Sequence, residues 1–395
     1  MPSPERIFGL DLLRAVAVLL VVFHHSIYFL NPSALVGSLG WVGEIGVGSL
    51  LVLSGYLIGL GLIKKLKRGN FSRFGHLRQF YAKRWARTLP AYYFFLGMMA
   101  ALFPPVIAQL LAHKEYFFFL QNFAWNIPPF YVQTWTLTLL EFFYLLFPLF
   151  LLLASKFTRN YLLCFAVPMA LLFFIPLALR AFHMQIENRD SFEETFRKWV
   201  VFRLDTPIVG VGAALVHVEM PLLWAWLLRH SWIGICSFTG LLIYHYNQCP
   251  YLFSNHWIQV FFYPVSALAL VPLLPLLCYW KSNTNLFGRV MSAISQASYS
   301  LYVSHYFSLI IGMVLLSIFG IFEWYFTVPI YAALVALIAC CGYYLTEEPF
   351  MRLREKNAPS LFPRLRRTFS REFEAPEPSP VVAEAESDYE QKNRP

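Results

Sequence analysis

Charged residues are scarce in this chain, which contains 395 residues of which only 13% are Asp, Glu, Lys or Arg. Soluble domains carry about 25% of such residues. Hydrophobic residues make up 58% of the sequence and include 39 Phe and 11 Trp. Because one water-exposed fold cannot bury that much apolar surface, the composition excludes a soluble globular protein and indicates a membrane protein.

The sequence also lacks cysteine pairs at the spacing of metal or disulfide sites. Most of its cysteines lie inside apolar runs, where we expect small buried residues, and we predict no metal site. The six are Cys164, Cys236, Cys249, Cys278, Cys340 and Cys341. The formal charge of +9 does not indicate nucleic-acid binding, since Lys and Arg cluster between apolar runs as in the loops of membrane proteins.

An apolar run of about 20 residues is typical of a spanning helix, and the chain has roughly ten such runs. The first run is not a cleavable signal peptide, because it is too long, carries charge and lacks a cleavage site. The predicted fold class is therefore all-α, a polytopic transmembrane helix bundle. We place the spans at 7–30, 42–62, 88–104, 134–155, 161–181, 206–220, 231–247, 257–280, 294–319 and 327–346.

Residues 63–87 contain nine basic residues and no acid, so we predict that this segment is a cytoplasmic loop. With ten spans, 21 basic residues face the cytoplasm and six face the opposite side, which places both termini in the cytoplasm. Those six are Lys114, Arg180, Arg189, Arg197, Lys198 and Arg203. We divide the chain into a transmembrane domain (1–350), a basic cytoplasmic segment (351–371) and a disordered acidic tail (372–395).

The first span contains ionisable residues that an anchor would not need: Asp11, Arg14, His24 and His25. Such residues in a span face a cavity or a partner. Eleven residues separate Arg14 from His25, which puts both on one helix face but about 16 Å apart. We therefore predict an anion site at Arg14 and proton transfer at His25. Asp11 can pair with Arg14, whereas His24 points elsewhere and is expected to pack.

Six other ionisable residues lie within predicted spans or at their ends. Arg84 and Arg87, one turn apart before the third span, either anchor the helix or bind phosphate. Glu141 lies in an aromatic run and needs a partner in the bundle, such as an arginine. His305 is either a core histidine or a site residue. Glu347 and Glu348 close the last span, where we interpret them as structural.

Several motifs follow one another between residues 6 and 354. In this order they resemble the acyltransferase-3 family of integral membrane O-acyltransferases. They are Gly9-Leu-Asp-Leu-Leu-Arg-Ala-Val-Ala17 followed by His25, Gly46-Val47 with Val52-Leu-Ser-Gly-Tyr-Leu-Ile58, Phe80-Tyr-Ala-Lys-Arg-Trp-Ala-Arg-Thr-Leu-Pro90, Trp135 to Tyr144, Phe202-Arg-Leu-Asp205 with Gly210, Ser298 to His305, and Glu347 with Pro349.

The chain departs from the family pattern at two places. Gly48, Leu50 and Leu51 stand where the family often has an Asp and two aromatic residues. Leu140 stands where the family has a Glu, and Glu141 comes one position later. These changes put the role of Glu141 in doubt and leave the histidine and arginine positions of the motifs intact.

The resemblance implies an enzyme of the bacterial cytoplasmic (inner) membrane that acylates a hydroxyl of a cell-surface glycan. The donor is acetyl-CoA or another acyl-CoA, no cofactor is permanently bound, and the acceptor is a glycan such as lipopolysaccharide O-antigen or exopolysaccharide. Some members carry a fused hydrolase-like domain, which we do not expect here. The implied enzyme class is an acyltransferase for groups other than aminoacyl groups, an O-acetyltransferase, with membrane lipid around it and no nucleic acid partner.

In this interpretation His25 is a general base or an acylated intermediate. Arg14 binds an anion, Arg84 and Arg87 hold the phosphates of coenzyme A, and the supporting residues are Asp11, Glu141, Arg203, Asp205, Tyr302 and His305. Two other classes stay open. A transporter or flippase of a glycolipid or acyl carrier would also place polar residues inside spans, and a non-catalytic sensor or scaffold would leave glycan chemistry unchanged when they are replaced.

Overall fold

The computed structural model describes residues 7–30, 41–69, 71, 74–251, 253, 255–281, 283–320 and 324–357. These residues form helices and connecting turns without a strand, which confirms the predicted all-α class. The proposed tail 372–395 and all but the first seven residues of the segment 351–371 lie outside the described residues.

The α-helices, numbered in chain order, are α1 (Phe8–Leu30), α2 (Val42–Lys67), α3 (Phe74–Leu102), α4 (Pro104–Ala112), α5 (Trp135–Phe157), α6 (Tyr161–Phe182), α7 (Arg189–Phe192), α8 (Asp205–Glu219), α9 (Pro221–Arg229), α10 (Ser231–Tyr251), α11 (His256–Leu270), α12 (Leu274–Tyr279), α13 (Leu286–Gln296), α14 (Ser298–Ile318), α15 (Trp324–Gly342) and α16 (Glu348–Asn357). Short 3₁₀ turns lie at Lys114–Phe118, Val132–Thr134, Val200–Phe202 and Val271–Leu273, and π-helical turns at Glu193–Arg197 and Tyr343–Glu347.

Seven helical segments in the described part of the chain are long and apolar enough to cross a membrane, or eight if the bent pair of α8 and α9 is one span. The protein is thus a multi-pass membrane protein. The seven are Phe8–Ser26, Val42–Lys67, Val132–Phe157, Tyr161–Phe182, His256–Tyr279, Ser298–Ile318 and Phe326–Leu353. The predicted spans 88–104 and 231–247 fall on the long helices α3 and α10, which are not apolar enough to be counted among these seven. The number of ten spans therefore remains a prediction.

The prediction of a loop over residues 63–87 is wrong. α2 continues to Lys67 and α3 starts at Phe74, so that only a short connection separates the two helices. Lysines in the last turn of α2 interact favourably with the negative end of the helix dipole. In the first turns of α3, Leu77 and Phe80 are buried beneath the basic residues, which gives this charged stretch an apolar face to pack.

The helix that covers the predicted span 206–220 is followed by a sharp bend. α8 ends at Glu219, and α9 leaves at an angle of 101°. Pro221 begins α9, since proline lacks the N–H that would extend the preceding helix. Trp224 and Leu228 are buried and pack α9 against the bundle.

Glycines bring α2 into backbone contact with α8. A Cβ atom built on Gly55 would lie 1.8 Å from the carbonyl oxygen of Pro207, and one on Gly210 would lie 2.0 Å from that of Val52. Gly46 similarly faces the carbonyl oxygen of Ala17 in α1, at 2.6 Å from such a Cβ. Since apolar burial drives helix association weakly in lipid, close approach at small residues is a main source of packing energy.

We expect Gly210→Ala to lower the melting temperature of the purified protein in detergent. The added methyl group would have to push α8 away from Val52, and such overpacking costs about 1–3 kcal/mol. Gly61→Ala is the matched control, because no atom lies within 4 Å of a Cβ at that position of α2. Equal melting temperatures for the two variants would contradict the glycine contact.

Candidate active site

A row of polar residues runs along the buried side of α14. Ser300, Ser304, His305 and Ser308 are completely buried, and Ser298 is nearly so. Lipid offers no hydrogen-bond partners, so this side of the helix must face polar groups of neighbouring helices. Of the residues predicted for the site, His25, Tyr302 and His305 meet at this polar row, which we define as Ser298, Ser300, Tyr302, Ser304, His305 and Ser308.

His305 faces His25 of α1, with ring centroids 4.9 Å apart. Nδ1 of His25 lies 2.9 Å from the carbonyl oxygen of Val21, and Nδ1 of His305 lies 2.6 Å from that of Tyr302. Because a carbonyl oxygen only accepts, each Nδ1 carries the proton and each Nε2 keeps its basic lone pair. Nε2 of His305 is buried and has no hydrogen-bond partner among the described residues.

His24 lies against α2. Its side chain is buried, and a Cβ at Gly43 would lie only 2.6 Å from its Cγ. The ring centroids of His24 and His25 are 5.0 Å apart, with the planes nearly perpendicular. This close packing agrees with the expected packing role of His24.

Arg14 lies where α1 meets the end of α13. Its Nη1 is 3.8 Å from Oδ1 of Asp11, which confirms the predicted pairing. Ser295 joins the two, because its hydroxyl donates to Asp11 at 2.8 Å and its Oγ is 3.5 Å from Nη1 of Arg14. Arg14 and His25 both lie in α1, eleven residues or about 16 Å apart along the helix, so they occupy separate parts of the site.

Arg87 lies close to Glu347 of the π-helical turn, with 3.8 Å between Nε and Oε2. The backbone N–H and the hydroxyl of Ser300 both donate to Oε1 of the same carboxylate, at 2.7 and 2.5 Å. Glu347 therefore links Arg87 to the polar row. The sequence interpretation of Glu347 as structural missed its contact with the polar row. An acidic residue at the end of the apolar span that follows α14 could have indicated this contact.

The other predicted residues around α3 and α5 also contact this region. The guanidinium of Arg84 lies 4.9 Å from the ring centroid of Tyr144. Glu141 accepts a hydrogen bond from the indole of Trp85 at 3.1 Å, and the predicted arginine partner is Arg84, which acts electrostatically on this carboxylate. Tyr302 donates to Oγ1 of Thr136 at 2.7 Å and thereby joins α14 to the start of α5.

Asp205 belongs to a buried ion pair that does not include Arg203, although the two residues are close in sequence. Asp205 pairs with Nη2 of Arg180 at 2.5 Å, and Nε of Arg180 donates to the carbonyl oxygen of Val260 at 3.0 Å. Both members of this ion pair are completely buried. Arg180, counted in the sequence among the basic residues on the side opposite the cytoplasm, is thus buried by α6 against α8 and α11.

A small cavity lies beside these residues, and we call it the Arg203 cavity. It is lined chiefly by Glu44, Trp135, Arg197, Arg203, His245 and Tyr263. Sequence reasoning missed Glu44 and His245, and it treated Arg197 only as a loop charge. An acid in the first turn of a span, as at Glu44, is the one signal that could have pointed to the cavity.

Ion pairs organise the chain between α6 and α8. Arg197 pairs with Glu193 at 3.0 Å and approaches Glu44 at 3.8 Å. Burial alone would raise the pKa of Glu193, but Arg197 and Arg189 hold that pKa below its ordinary value. Glu193 therefore stays ionised and offsets the charge of Arg197. In the part of the chain that the structure describes, no group of three or more His, Cys, Asp or Glu is placed to hold a metal.

We expect Asp205→Asn to lower the melting temperature strongly, because it leaves the buried Arg180 guanidinium without its carboxylate. Breaking a buried pair from one side costs about 3–5 kcal/mol. The control is Glu348→Gln, which removes the partner of Arg352, a residue whose side chain is 70% exposed. That change should have little effect. A similar melting temperature for both variants would argue against the buried pair as an anchor.

The model of a family described as an acyltransferase domain, acyltransferase-3, matches residues 7–347. The peptidoglycan O-acetyltransferase OatA of Listeria monocytogenes is 30% identical over 174 residues, 40% of this chain and 26% of that protein. The O-acetyltransferase OatA of Staphylococcus aureus is 32% identical over 165 residues, 38% of this chain and 25% of that protein. The chain thus spans about a quarter of the length of these relatives. No solved structure matches it.

Proposed function

The chain belongs to the acyltransferase-3 family, and on that premise we propose that it is a membrane O-acetyltransferase acting on a hydroxyl of a cell-surface glycan. The observation that carries the proposal is the pair of His25 and His305. Both rings are held by backbone carbonyl oxygens, so that a basic nitrogen is free on each. General base catalysis of acyl transfer needs such a nitrogen within reach of the acceptor hydroxyl.

His25 takes the proton of the acceptor hydroxyl at Nε2 in this mechanism. The hydroxyl oxygen then attacks the carbonyl carbon of the acyl thioester, the carbon–sulfur bond breaks, and the thiolate of coenzyme A leaves. Protonation of that thiolate by His25 restores the neutral imidazole. In the alternative sequence Nε2 of His25 is itself acylated first and then passes the acyl group to the acceptor.

Arg84 and Arg87 are the groups proposed to bind the phosphates of acetyl-CoA or another acyl-CoA. Arginine matches phosphate oxygens with two parallel donors. Arg87 is 34% exposed and is held by Glu347 at a distance longer than a hydrogen bond. Its donors can therefore turn to an incoming phosphate. Arg14, whose side chain is 21% exposed, is proposed to bind another anionic part of the donor.

The acceptor is proposed to be a glycan of the bacterial envelope, and the proposed location is the cytoplasmic membrane. The name of the Listeria relative refers to peptidoglycan, which supports a glycan acceptor without choosing among peptidoglycan, lipopolysaccharide O-antigen and exopolysaccharide. Comparison of glycan masses from a deletion strain and its parent would identify the modified polymer.

We expect His25→Ala to reduce acyl transfer by about 10²–10⁴-fold, the usual contribution of a general base, and more if His25 is acylated. The measurement is the transfer of radiolabel from acetyl-CoA to glycan in membranes that contain equal amounts of each protein. His230→Ala is the control, because His230 is bonded to the carbonyl oxygen of Trp226 on an exposed part of the chain. Transfer by the His25 variant at the wild-type rate would refute the assignment.

The double variant Arg84→Ala, Arg87→Ala should raise the KM for acetyl-CoA by about tenfold or more, as expected when charge-assisted hydrogen bonds to phosphate are lost. The change in kcat should be smaller, since these groups are not proposed to contact the reacting carbon. Arg352→Ala, in α16, is the control for loss of an exposed basic residue. An unchanged KM in the double variant would remove the phosphate role.

A further inference from the structure

One buried donor that lines the Arg203 cavity lacks a hydrogen-bond partner. Arg203 is 3% exposed, and its Nε has no hydrogen-bond partner among the described residues. His245 offers no second donor, because the hydroxyl of Ser266 donates to the carbonyl oxygen of Phe262 and accepts from Nε2 of His245 at 3.0 Å, which leaves Nδ1 as an acceptor. Buried polar groups are nearly always paired in native structures, and exceptions call for an explanation such as a ligand.

The residues that line the cavity carry a net positive charge. They include two arginines, Arg197 and Arg203, and one carboxylate, Glu44, which lies 3.8 Å from Arg197, while Asp205 is committed to Arg180. Arg203 has no carboxylate within ion-pair distance in the described ranges. Its guanidinium lies 3.5 Å from the ring centroid of Tyr263 and 5.8 Å from that of Trp135, and its Nη1 donates to the backbone carbonyl oxygen of Arg197 at 3.5 Å. An anion is the ligand that would complete this arrangement.

Two connections place the cavity next to the histidine pair. Glu44 follows Gly43, whose backbone abuts the ring of His24. Trp135 precedes Thr136, which accepts a hydrogen bond from the hydroxyl of Tyr302. The backbone carbonyl of Tyr302 also holds His305. Arg197 of the cavity wall is near enough to His24, His25 and Tyr302 to act on them electrostatically, so the cavity and the histidine pair belong to one polar region.

The size of the opening limits what can enter. Its volume is about 20 Å³, whereas one water needs about 10–15 Å³, so it has room for one or two oxygen-sized atoms and not for a sugar ring. A carboxylate is small, planar and suited to the fork of an arginine. A ring bearing that carboxylate would remain outside the opening.

We propose that the Arg203 cavity binds a carboxylate on the acceptor glycan and thereby places a neighbouring hydroxyl at His25. The acceptor class would then be an acidic sugar of the uronic acid type. This inference rests on the proposed function, because it assumes that the partner of His25 is a glycan hydroxyl. Arg203 is the binding group, and Glu44 on the opposite wall opposes an anion and sets the limit on its affinity.

The test measures binding of two matched probes, methyl β-D-glucuronide and methyl β-D-glucoside, by the shift in melting temperature of the full chain in detergent. A ligand that binds only the folded state stabilises it by an amount that grows with the logarithm of the ligand concentration divided by Kd. The glucuronide should bind at least about tenfold more tightly than the glucoside, the effect of one charge-assisted hydrogen bond. Arg203→Gln should abolish that preference.

Two further variants keep the test decisive if Arg203→Gln folds poorly. Glu44→Gln removes a negative charge from the cavity wall and should tighten glucuronide binding, an effect that damage to the fold would not produce. Lys114→Gln removes one positive charge from another segment predicted to lie on the same side of the membrane, and it should leave the preference unchanged.

The proposal is overturned if wild-type protein binds both sugars equally or neither, or if the preference survives in Arg203→Gln, or if Glu44→Gln weakens glucuronide binding. Because binding is read without acetyl-CoA, this result is separate from the acyl-transfer assay. A glucuronide preference without acyl transfer would remove the proposed function alone. Acyl transfer without the preference would remove only the role of the cavity.

Discussion

Hydrogen bonding of the polar row of α14 is the constraint on which the site depends. A helix that presents serines and a histidine to the interior of a membrane bundle must find partners there, because lipid supplies none. Those partners are the residues proposed for function: Glu347 at Ser300, Thr136 at Tyr302 and His25 opposite His305. One helix thereby sets the relative positions of α1, α3 and α5 around a shared interior.

The rest of the bundle supports this interior in two ways. Glycines let the backbones of α1, α2 and α8 touch, which fixes α1 and so the position of His25. The completely buried ion pair of Arg180 and Asp205 holds the beginning of α8. Because Asp205 pairs with Arg180, Arg203 lies over the ring of Tyr263. Burial of the Arg180–Asp205 pair costs free energy, but the pair positions the charge of Arg203.

Local patterns predicted what depends on local geometry. The placement of Asp11 beside Arg14 follows from helix periodicity, and the all-α membrane fold follows from apolar runs. The errors arose where distant packing overrode a local rule. The basic residues of 63–87 indicated a loop, but buried Leu77 and Phe80 extend α3 through most of that stretch. Arg180 was counted only as a basic residue at the end of a span, and its burial between α8 and α11 could not be read from the sequence.

The sequence by itself determined the solvent of this protein, because scarcity of charge and long apolar runs leave lipid as the only compatible environment. The order of its motifs also indicated the family, and helix spacing separated Arg14 from His25. Only the tertiary structure decided that His305 faces His25, that Glu347 holds Arg87 and that Glu44 shares a cavity with Arg203. These contacts join residues on different helices, far apart in the chain, and the periodicity within one helix carries no information about which neighbour it faces.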